Sequence, residues 1–225
     1  MNGLPSVTIN PGAGGGEPVA TVLQIVFLLT VLTLAPAILI LTTSFTRITV
    51  VLGFVRNALA TQQMPPNQVL IGLALFLTFF VMAPVFGAIN EQALQPYLAG
   101  ELDAGTALAR SEAQLKGFML KHTREKELAL FASMNSDEPP ARPEDVPTLA
   151  LIPAFVISEL KTAFQIGFVI FVPFLVIDMV VASTLMSMGM LMLPPMMISL
   201  PFKIVLFVLV DGWYLVIRSL VTGLQ

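Results

Sequence analysis

Three long uncharged stretches are the most prominent pattern in this chain of 225 residues. They contain no Asp, Glu, Lys, Arg or His and cover 18–46, 57–90 and 179–202. Each stretch exceeds the ~20 residues that an α-helix needs to cross a bilayer. The pattern therefore predicts an all-α membrane protein. Four membrane spans are predicted, at about 19–43, 69–89, 163–186 and 198–220.

These spans group into two helical hairpin regions, 19–89 and 149–225. Between them, residues 90–148 carry ten acidic residues, six basic residues and the only histidine of the chain. This composition predicts a small helical region outside the membrane. Residues 1–18, with the sequence NPGAGGGEP, are predicted to be a flexible polar tail.

The orientation of the chain is predicted from two arginines. Arg47 and Arg56 lie without acidic neighbours in 44–68, which we expect to be a loop on the cytoplasmic side. Residues 90–148 then lie on the extracytoplasmic side. No basic segment precedes the first span, as it would in a secretory signal. We expect either that the chain starts at its mature end or that the first span itself serves for insertion.

The composition excludes several classes of function. Hydrophobic residues make up 56% of the chain and charged residues 11%, with a net charge of −3, so the basic surface of a nucleic-acid binder is missing. The absence of cysteine excludes disulfides and thiolate metal sites. His122 has no metal-binding spacing around it, and no Walker A, GxGxxG or GxSxG motif occurs. We therefore predict no enzymatic activity, metal or cofactor.

The stretch MSMGMLMLPPMM, residues 186–197, holds six of the twelve methionines. Gly189 and Pro194–Pro195 disfavour a helix and predict a non-helical turn over 189–195, with Met186 and Met188 finishing a packed helix. Such backbone at membrane depth must be buried in protein or line a cavity. Flexible thioethers from several subunits would make a deformable apolar seal. From periodicity alone, a loosely packed hairpin without a special role is an equal alternative.

Six charged residues interrupt the apolar second half of the chain, and four of them are candidates for a buried role. An acid in such surroundings needs a partner or a cavity, so Asp178 and Asp211 are predicted to be buried polar groups. For Asp178 a structural partner across a helix interface is favoured over a proton relay, and Asp211 is a candidate helix cap. Glu159 and Lys203 are candidate ion-pair mates, within or between subunits. Because they lie near opposite ends of the third and fourth spans, their pairing requires staggered subunits or a hairpin that does not cross straight.

Several stretches closely resemble the FliP family of flagellar type III export-gate proteins. The resemblance runs almost continuously from about residue 21 to 216. It is carried mainly by SFTRITVVLGFVRNAL, PPNQVLIGLALFLTFFVMAPV, LIPAFVISELKTAFQIGFVIFVPFLVIDMVVAS and MGMLMLPPMMISLPFK. A sister family in virulence injectisomes shares only shorter pieces such as RNAL, LPFK and DGW. The longer motifs of this sequence are similar to those of the flagellar family.

The resemblance implies a subunit of a ring, typically of five copies, in the bacterial inner membrane at the flagellar basal body. FliQ, FliR and other export apparatus proteins would be its partners, and unfolded flagellar proteins would pass through the assembly. It further implies helical hairpins packed on each other, partly raised above the bilayer. Met190, Leu191 and Met192 would form the pore gasket, with Leu191 standing where the family often has methionine. Glu159 and Lys203 would bridge neighbouring subunits.

Two other classes of function remain open from the residues alone. A small-ion channel or proton-coupled transporter would be built around Asp178 and would need no FliQ-like or FliR-like partners. A purely structural membrane scaffold would form a sealed complex that methionine substitutions leave unchanged.

Overall fold

The computed structural model describes residues 17–61, 63–135, 142–190 and 192–224. Most of these residues are helical, and no strand occurs in them. The helices are α1 (Glu17–Thr42), α2 (Phe45–Ala58), α3 (Asn67–Ile89), α4 (Gln95–Leu98), α5 (Ala104–His122), α6 (Glu125–Asn135), α7 (Thr148–Ser187), α8 (Pro195–Leu209) and α9 (Gly212–Thr222). The predicted all-α class is confirmed. Of the predicted tail, residues 1–16 lie outside the described residues.

Three described helices are long and apolar enough to cross a bilayer. They cover Val22–Thr42, Asn67–Leu98 and Thr148–Ser187, and α8 with α9 would make a fourth span if the bent pair counts as one. The second of these runs from α3 through one π-helical turn, Asn90–Leu94, into α4. α1 is a single 26-residue helix with Pro36 inside it, and most of its described side chains are exposed.

The predicted loop over 44–68 is wrong, because most of it is the helix α2. Phe45, Ile48, Val51, Leu52 and Val55 are buried. They recur at the three- and four-residue spacing of one helix face. The two arginines, Arg47 and Arg56, favoured a polar loop for this segment and masked its apolar helical face. α2 therefore belongs to the core and is not a connecting loop.

α7 is a 40-residue helix, much longer than the predicted span over 163–186. At 1.5 Å per residue it is ~60 Å long, about twice the thickness of the hydrocarbon core of a bilayer. Its two halves differ in burial. Most of its buried residues fall in its first half, between Ala150 and Gly167, whereas Phe174 and Leu185 are the buried residues of the second half. The first half is thus packed against protein, and the second half presents an apolar surface.

The second half of α7 and α8 form a helical hairpin, after which the chain bends. α8 and α9 meet at an angle of 61°. The break falls at Val210 and Asp211, and Asp211 has left-handed backbone angles (φ 50°, ψ 54°). The predicted span over 198–220 thus consists of two helices joined by a bend.

Two clusters of buried side chains hold the helices together. The larger cluster joins α2 to α3, α7, α8 and α9, with Val51, Leu52, Ala163, Phe207 and Leu220 among its members. The smaller one joins α3, α5, α6 and the start of α7. α2 and α7 approach closely at Gly167, where a Cβ atom would lie 2.4 Å from Cγ of Phe54. This contact requires a residue without a side chain.

Candidate functional site: the methionine turn and its charged pairs

The end of α7 is a cap that depends on glycine. Gly189 has φ +76°, a backbone conformation that glycine adopts without steric cost. The Gly189 amide donates to the Met186 carbonyl, and the Met190 amide donates to the Leu185 carbonyl, both at 3.0 Å. These two bonds make a Schellman motif, which closes the last helical turn. The glycine therefore stops the helix immediately before Met190.

The return helix begins at a proline. Pro195 occupies the first turn of α8, where the missing N–H has no helical acceptor to lose. The described residues 188–190 and 192–194 thus lie between α7 and α8, outside both helices. The predicted turn over 189–195 differs from this segment by one residue at each end.

The described methionines of the turn are exposed in the single chain. Met190 is 41% exposed and Met192 is 98% exposed, whereas Leu191 lies outside the described residues. Met186 and Met188, which were predicted to finish a packed helix, are 60% and 67% exposed. They lie at the free end of the hairpin, beyond Leu185, the last buried residue of α7.

Behind the turn, a polar contact ties the two arms of the hairpin together. Asp178 of α7 accepts hydrogen bonds from Lys203 Nζ and from Ser199 Oγ, each at 2.6 Å. Ser199 and Lys203 are four residues apart and share one face of α8. Ser199 and Lys203 are buried, and the Asp178 side chain is 23% exposed. This is the kind of structural contact across a helix interface that the sequence favoured for Asp178.

A second ion pair joins α2 to the first half of α7. Arg47 Nε donates to Glu159 Oε2 at 2.8 Å, and Arg47 Nη2 donates to Glu159 Oε1. This two-point geometry is the strong form of an arginine–carboxylate pair. Glu159 is fully buried and Arg47 is nearly so. The remaining nitrogen, Arg47 Nη1, donates to the Gly223 carbonyl at 2.9 Å, so Arg47 also anchors the end of α9.

Within one chain, Glu159 and Lys203 therefore have other partners. Glu159 is paired with Arg47, and Lys203 is paired with Asp178. A bridge between Glu159 and Lys203 of neighbouring subunits stays a prediction. To form that bridge, Glu159 would have to leave Arg47, and Lys203 would have to leave Asp178.

Sequence reasoning missed Arg47 as a member of the charged network. It was interpreted as a marker of the cytoplasmic side, but a buried and paired guanidinium gives no such information. A signal was present in its spacing. Arg47 lies three and four residues from Val50 and Val51, beside Ile48, on the apolar side of a helical pattern. A cation at such a position indicates a buried carboxylate partner.

Asp211 was predicted to be a buried polar group, and in the single chain it is exposed. It lies at the break between α8 and α9, which meet at 61°. It occupies the N-cap position of α9, but its side chain makes no capping hydrogen bond. Its backbone carbonyl accepts from the Leu215 amide at 3.1 Å, so the cap contribution of Asp211 comes from its main chain.

Comparison with known proteins decides the family. The sequence pattern of the FliP family matches residues 28–220. The chain belongs to the FliP family. The match includes all of α2 to α8, and so it covers the methionine turn and both ion pairs.

Curated FliP relatives match over nearly the whole chain. The chain is 62% identical to flagellar biosynthetic protein FliP of Bacillus subtilis, over 91% of this chain and 92% of the relative. It is 53% identical to FliP of Cereibacter sphaeroides, over 97% and 72%. It is 52% identical to FliP of Pectobacterium carotovorum, over 96% and 84%.

Proposed function

We propose that this FliP-family chain is a core subunit of the flagellar type III protein export gate. It is a non-enzymatic membrane protein that contributes to the pore through which unfolded flagellar proteins leave the cytoplasm. Family membership and relatives named as flagellar biosynthetic proteins support this assignment. They favour the flagellar export apparatus over the equivalent gate of a virulence injectisome.

The observation that carries the proposal is the methionine turn. Met190, Leu191 and Met192 follow the glycine cap in the sequence, and of the two described residues Met190 is partly exposed and Met192 is almost fully exposed. An isolated apolar side chain gains nothing from such exposure, since burying it would stabilise the chain by roughly 1.5–3 kcal/mol. Several tips brought together at one axis would bury one another. The three residues then act as a gasket that closes the pore to ions and small solutes.

The gate requires an assembly. We propose a ring of about five copies that associates with FliQ, FliR and other export apparatus proteins. The exposed apolar surface of the second half of α7 supports contacts with lipid and with other subunits. Native mass spectrometry of the complex in mild detergent tests this point. A ring predicts one defined oligomer that retains FliQ and FliR, and a monomer under all conditions would refute the gate.

We further propose that Glu159 and Lys203 bridge neighbouring subunits in the assembled ring. This bridge competes with the intrachain pairs of Arg47 with Glu159 and of Asp178 with Lys203. Charge exchange separates the two arrangements. If the bridge forms, the combined variant Glu159→Lys and Lys203→Glu assembles better than either single variant. If only Arg47→Glu with Glu159→Arg restores assembly, Glu159 acts within its own chain.

The protein is proposed to lie in the bacterial inner membrane at the flagellar basal body, with residues 90–148 on the extracytoplasmic side. Because the chain contains no cysteine, single-cysteine variants can locate each region. Glu101 and Met64 are both exposed. A membrane-impermeant maleimide added to intact spheroplasts should label Glu101→Cys but not Met64→Cys. The reverse pattern would invert the proposed orientation.

Function can be tested in a strain of Bacillus subtilis that lacks its own FliP. This chain should restore motility and the export of flagellar proteins. The small-ion channel or proton-coupled transporter predicts instead a selective conductance of the purified protein that Asp178→Asn abolishes, without FliQ or FliR. Such a conductance together with failed complementation would favour that alternative.

A further inference from the structure

A groove between α2 and α7 combines an apolar wall with a cation. We call the α2–α7 groove the cavity of about 820 Å³ that is lined by Phe54 of α2 and by Phe164, Phe168 and Phe171 of α7. Lys161 also lines it and is the first of its α7 residues along the chain. Lys161, Phe164 and Phe168 follow one another at three- and four-residue spacings, so they lie on one face of α7.

Aromatic side chains build the wall of the groove, and one glycine makes room for them. The rings of Phe54 and Phe164 meet edge-on with 5.3 Å between their centroids. Phe54 can lie there because Gly167 has no side chain, since a Cβ atom at Gly167 would be 2.4 Å from Cγ of Phe54. Phe164 and Phe168 are nevertheless 56% and 67% exposed. The groove is therefore a preformed apolar surface with an open side.

The charged end of the groove has a cation without a carboxylate partner. Arg124, which directly precedes α6, donates from Nη2 to Gln165 Oε1 at 2.6 Å and to Thr162 Oγ1 at 3.1 Å, and Gln165 lines the groove. Both acceptors are neutral, and Arg124 forms no ion pair with any described residue. Lys161 pairs with Glu127 at 3.1 Å, but its side chain is 45% exposed. Two cations and one carboxylate leave positive charge in excess here.

The position of the groove along α7 matches the layers of a bilayer. From Phe168 to Ser187, α7 is ~30 Å long at 1.5 Å per residue, which equals the thickness of the hydrocarbon core. Lys161 precedes Phe168 by ~10 Å along the helix. When the second half of α7 spans the core, the charged end of the groove therefore lies at the depth of the lipid head groups. Lysine and arginine at this depth attract anionic head groups.

We propose that the α2–α7 groove binds an anionic phospholipid of the surrounding bilayer. The lipid phosphate lies against Arg124 and Lys161, and one acyl chain covers Phe164 and Phe168. A phospholipid matches both features at once, because its negative charge is directly beside an apolar chain. An uncharged lipid would match only the wall, and a soluble anion would match only the charged end. The site needs the chain to lie in a membrane, and it does not depend on the gate function.

Native mass spectrometry of the full chain in mild detergent tests the charged end. Phosphatidylglycerol and phosphatidylcholine with identical acyl chains are titrated separately, and phosphatidylglycerol should bind more tightly. Arg124→Gln should weaken binding of phosphatidylglycerol by about fivefold, the effect of one cation beside a head group. Lys126→Gln is the matched control, because Lys126 is an exposed cation nearby that does not line the groove. Equal binding of the two lipids, or equal weakening by the two variants, would overturn the proposal.

A photoreactive probe keeps the test decisive if Arg124→Gln folds poorly. Benzoylphenylalanine is introduced in place of Phe168, or in place of Phe76, an exposed residue of α3 outside the groove. The full chain is illuminated in bilayer discs that contain equal amounts of phosphatidylglycerol and phosphatidylcholine. Lipid adducts at position 168 should be enriched in phosphatidylglycerol relative to those at position 76. Equal lipid composition at the two positions would contradict the site. Cross-links to a second copy of the chain instead of lipid would also contradict it, and would make the groove an interface between copies.

Discussion

Arg47 and Glu159 form a buried two-point ion pair although 112 positions separate them in the chain. The pair fixes α2 against the first half of α7 and, through the Gly223 carbonyl, fixes the end of α9. The pair therefore joins α2, α7 and α9, and the hairpin that carries the methionine turn is formed by the second half of α7 with α8.

Removing one partner of this pair should be severely destabilising. Arg47→Met leaves the Glu159 carboxylate buried without a partner, which costs about 3–5 kcal/mol. The combined variant Arg47→Met with Glu159→Met should recover much of that loss, because no charge remains buried. Chemical unfolding in detergent measures all three proteins. Single and combined variants of equal stability would show that the pair is not coupled.

The contact between Asp178 and Lys203 should set the alignment of the hairpin arms. Lys203→Met leaves Asp178 with Ser199 as its described partner, and we expect a loss of about 3 kcal/mol and faster exchange of α8 amides. Asp178→Asn should act in the same direction, since it leaves the buried ammonium of Lys203 without its counter-charge. Normal α8 protection in both variants would argue against this role.

The close approach of α2 and α7 predicts that Gly167→Ala is harmful. The added methyl group would lie 2.4 Å from Cγ of Phe54, and overpacking of this kind costs about 1–3 kcal/mol. Phe54→Leu in the same chain should relieve part of the loss. Gly72→Ala is the matched control, because a Cβ atom there meets no atom within 4 Å. Equal effects at the two glycines would contradict the packing argument.

The contact of Glu127 with Lys161 predicts a pH dependence of stability. Lys161 Nζ donates to Glu127 Oε1 at 3.1 Å, and this hydrogen bond lowers the pKa of Glu127 below its usual 4.5. The folded state therefore favours the carboxylate. Its stabilisation is complete above about pH 4.5 and is lost as the pH falls through the lowered pKa.

Unfolding experiments between pH 3 and 6 can isolate this effect. Glu127→Gln should flatten the part of the stability profile below about pH 4.5. Glu125 is exposed and lies two residues before Glu127 in α6. Glu125→Gln should therefore leave the stability profile unchanged. A profile that is the same in Glu127→Gln and the unmodified protein would rule out the contribution.

The sequence predicts the helical class and the ends of the hairpin well, because these depend on local chemistry. Gly189 and Pro195 act through their own backbone preferences, so the turn can be located from the residues alone. The long uncharged stretches likewise predict helices that can cross a bilayer. In these places local pattern and final structure agree.

The pairing of charges could not be predicted in the same way. Glu159 and Lys203 are the acid and base that stand out in the apolar second half, but each finds its partner in the single chain through packing. Arg47 comes from a helix that the sequence analysis took for a loop, and Asp178 faces Lys203 because the hairpin arms are aligned. Asp211 is exposed at the break between α8 and α9. The partners of these charged residues depend on tertiary contacts, which local sequence patterns do not predict.

The central claim is that the methionine turn seals a pore, and the permeability of membranes containing the assembled complex tests it most directly. Small-solute leakage should be measured for Met190→Ala with Met192→Ala, and for Met197→Ala, an exposed methionine outside the turn. The seal predicts that the first variant leaks while the control stays as tight as the unmodified complex. Unchanged permeability of the turn variant in an intact complex would contradict the claim, and so would equal leakage in the control.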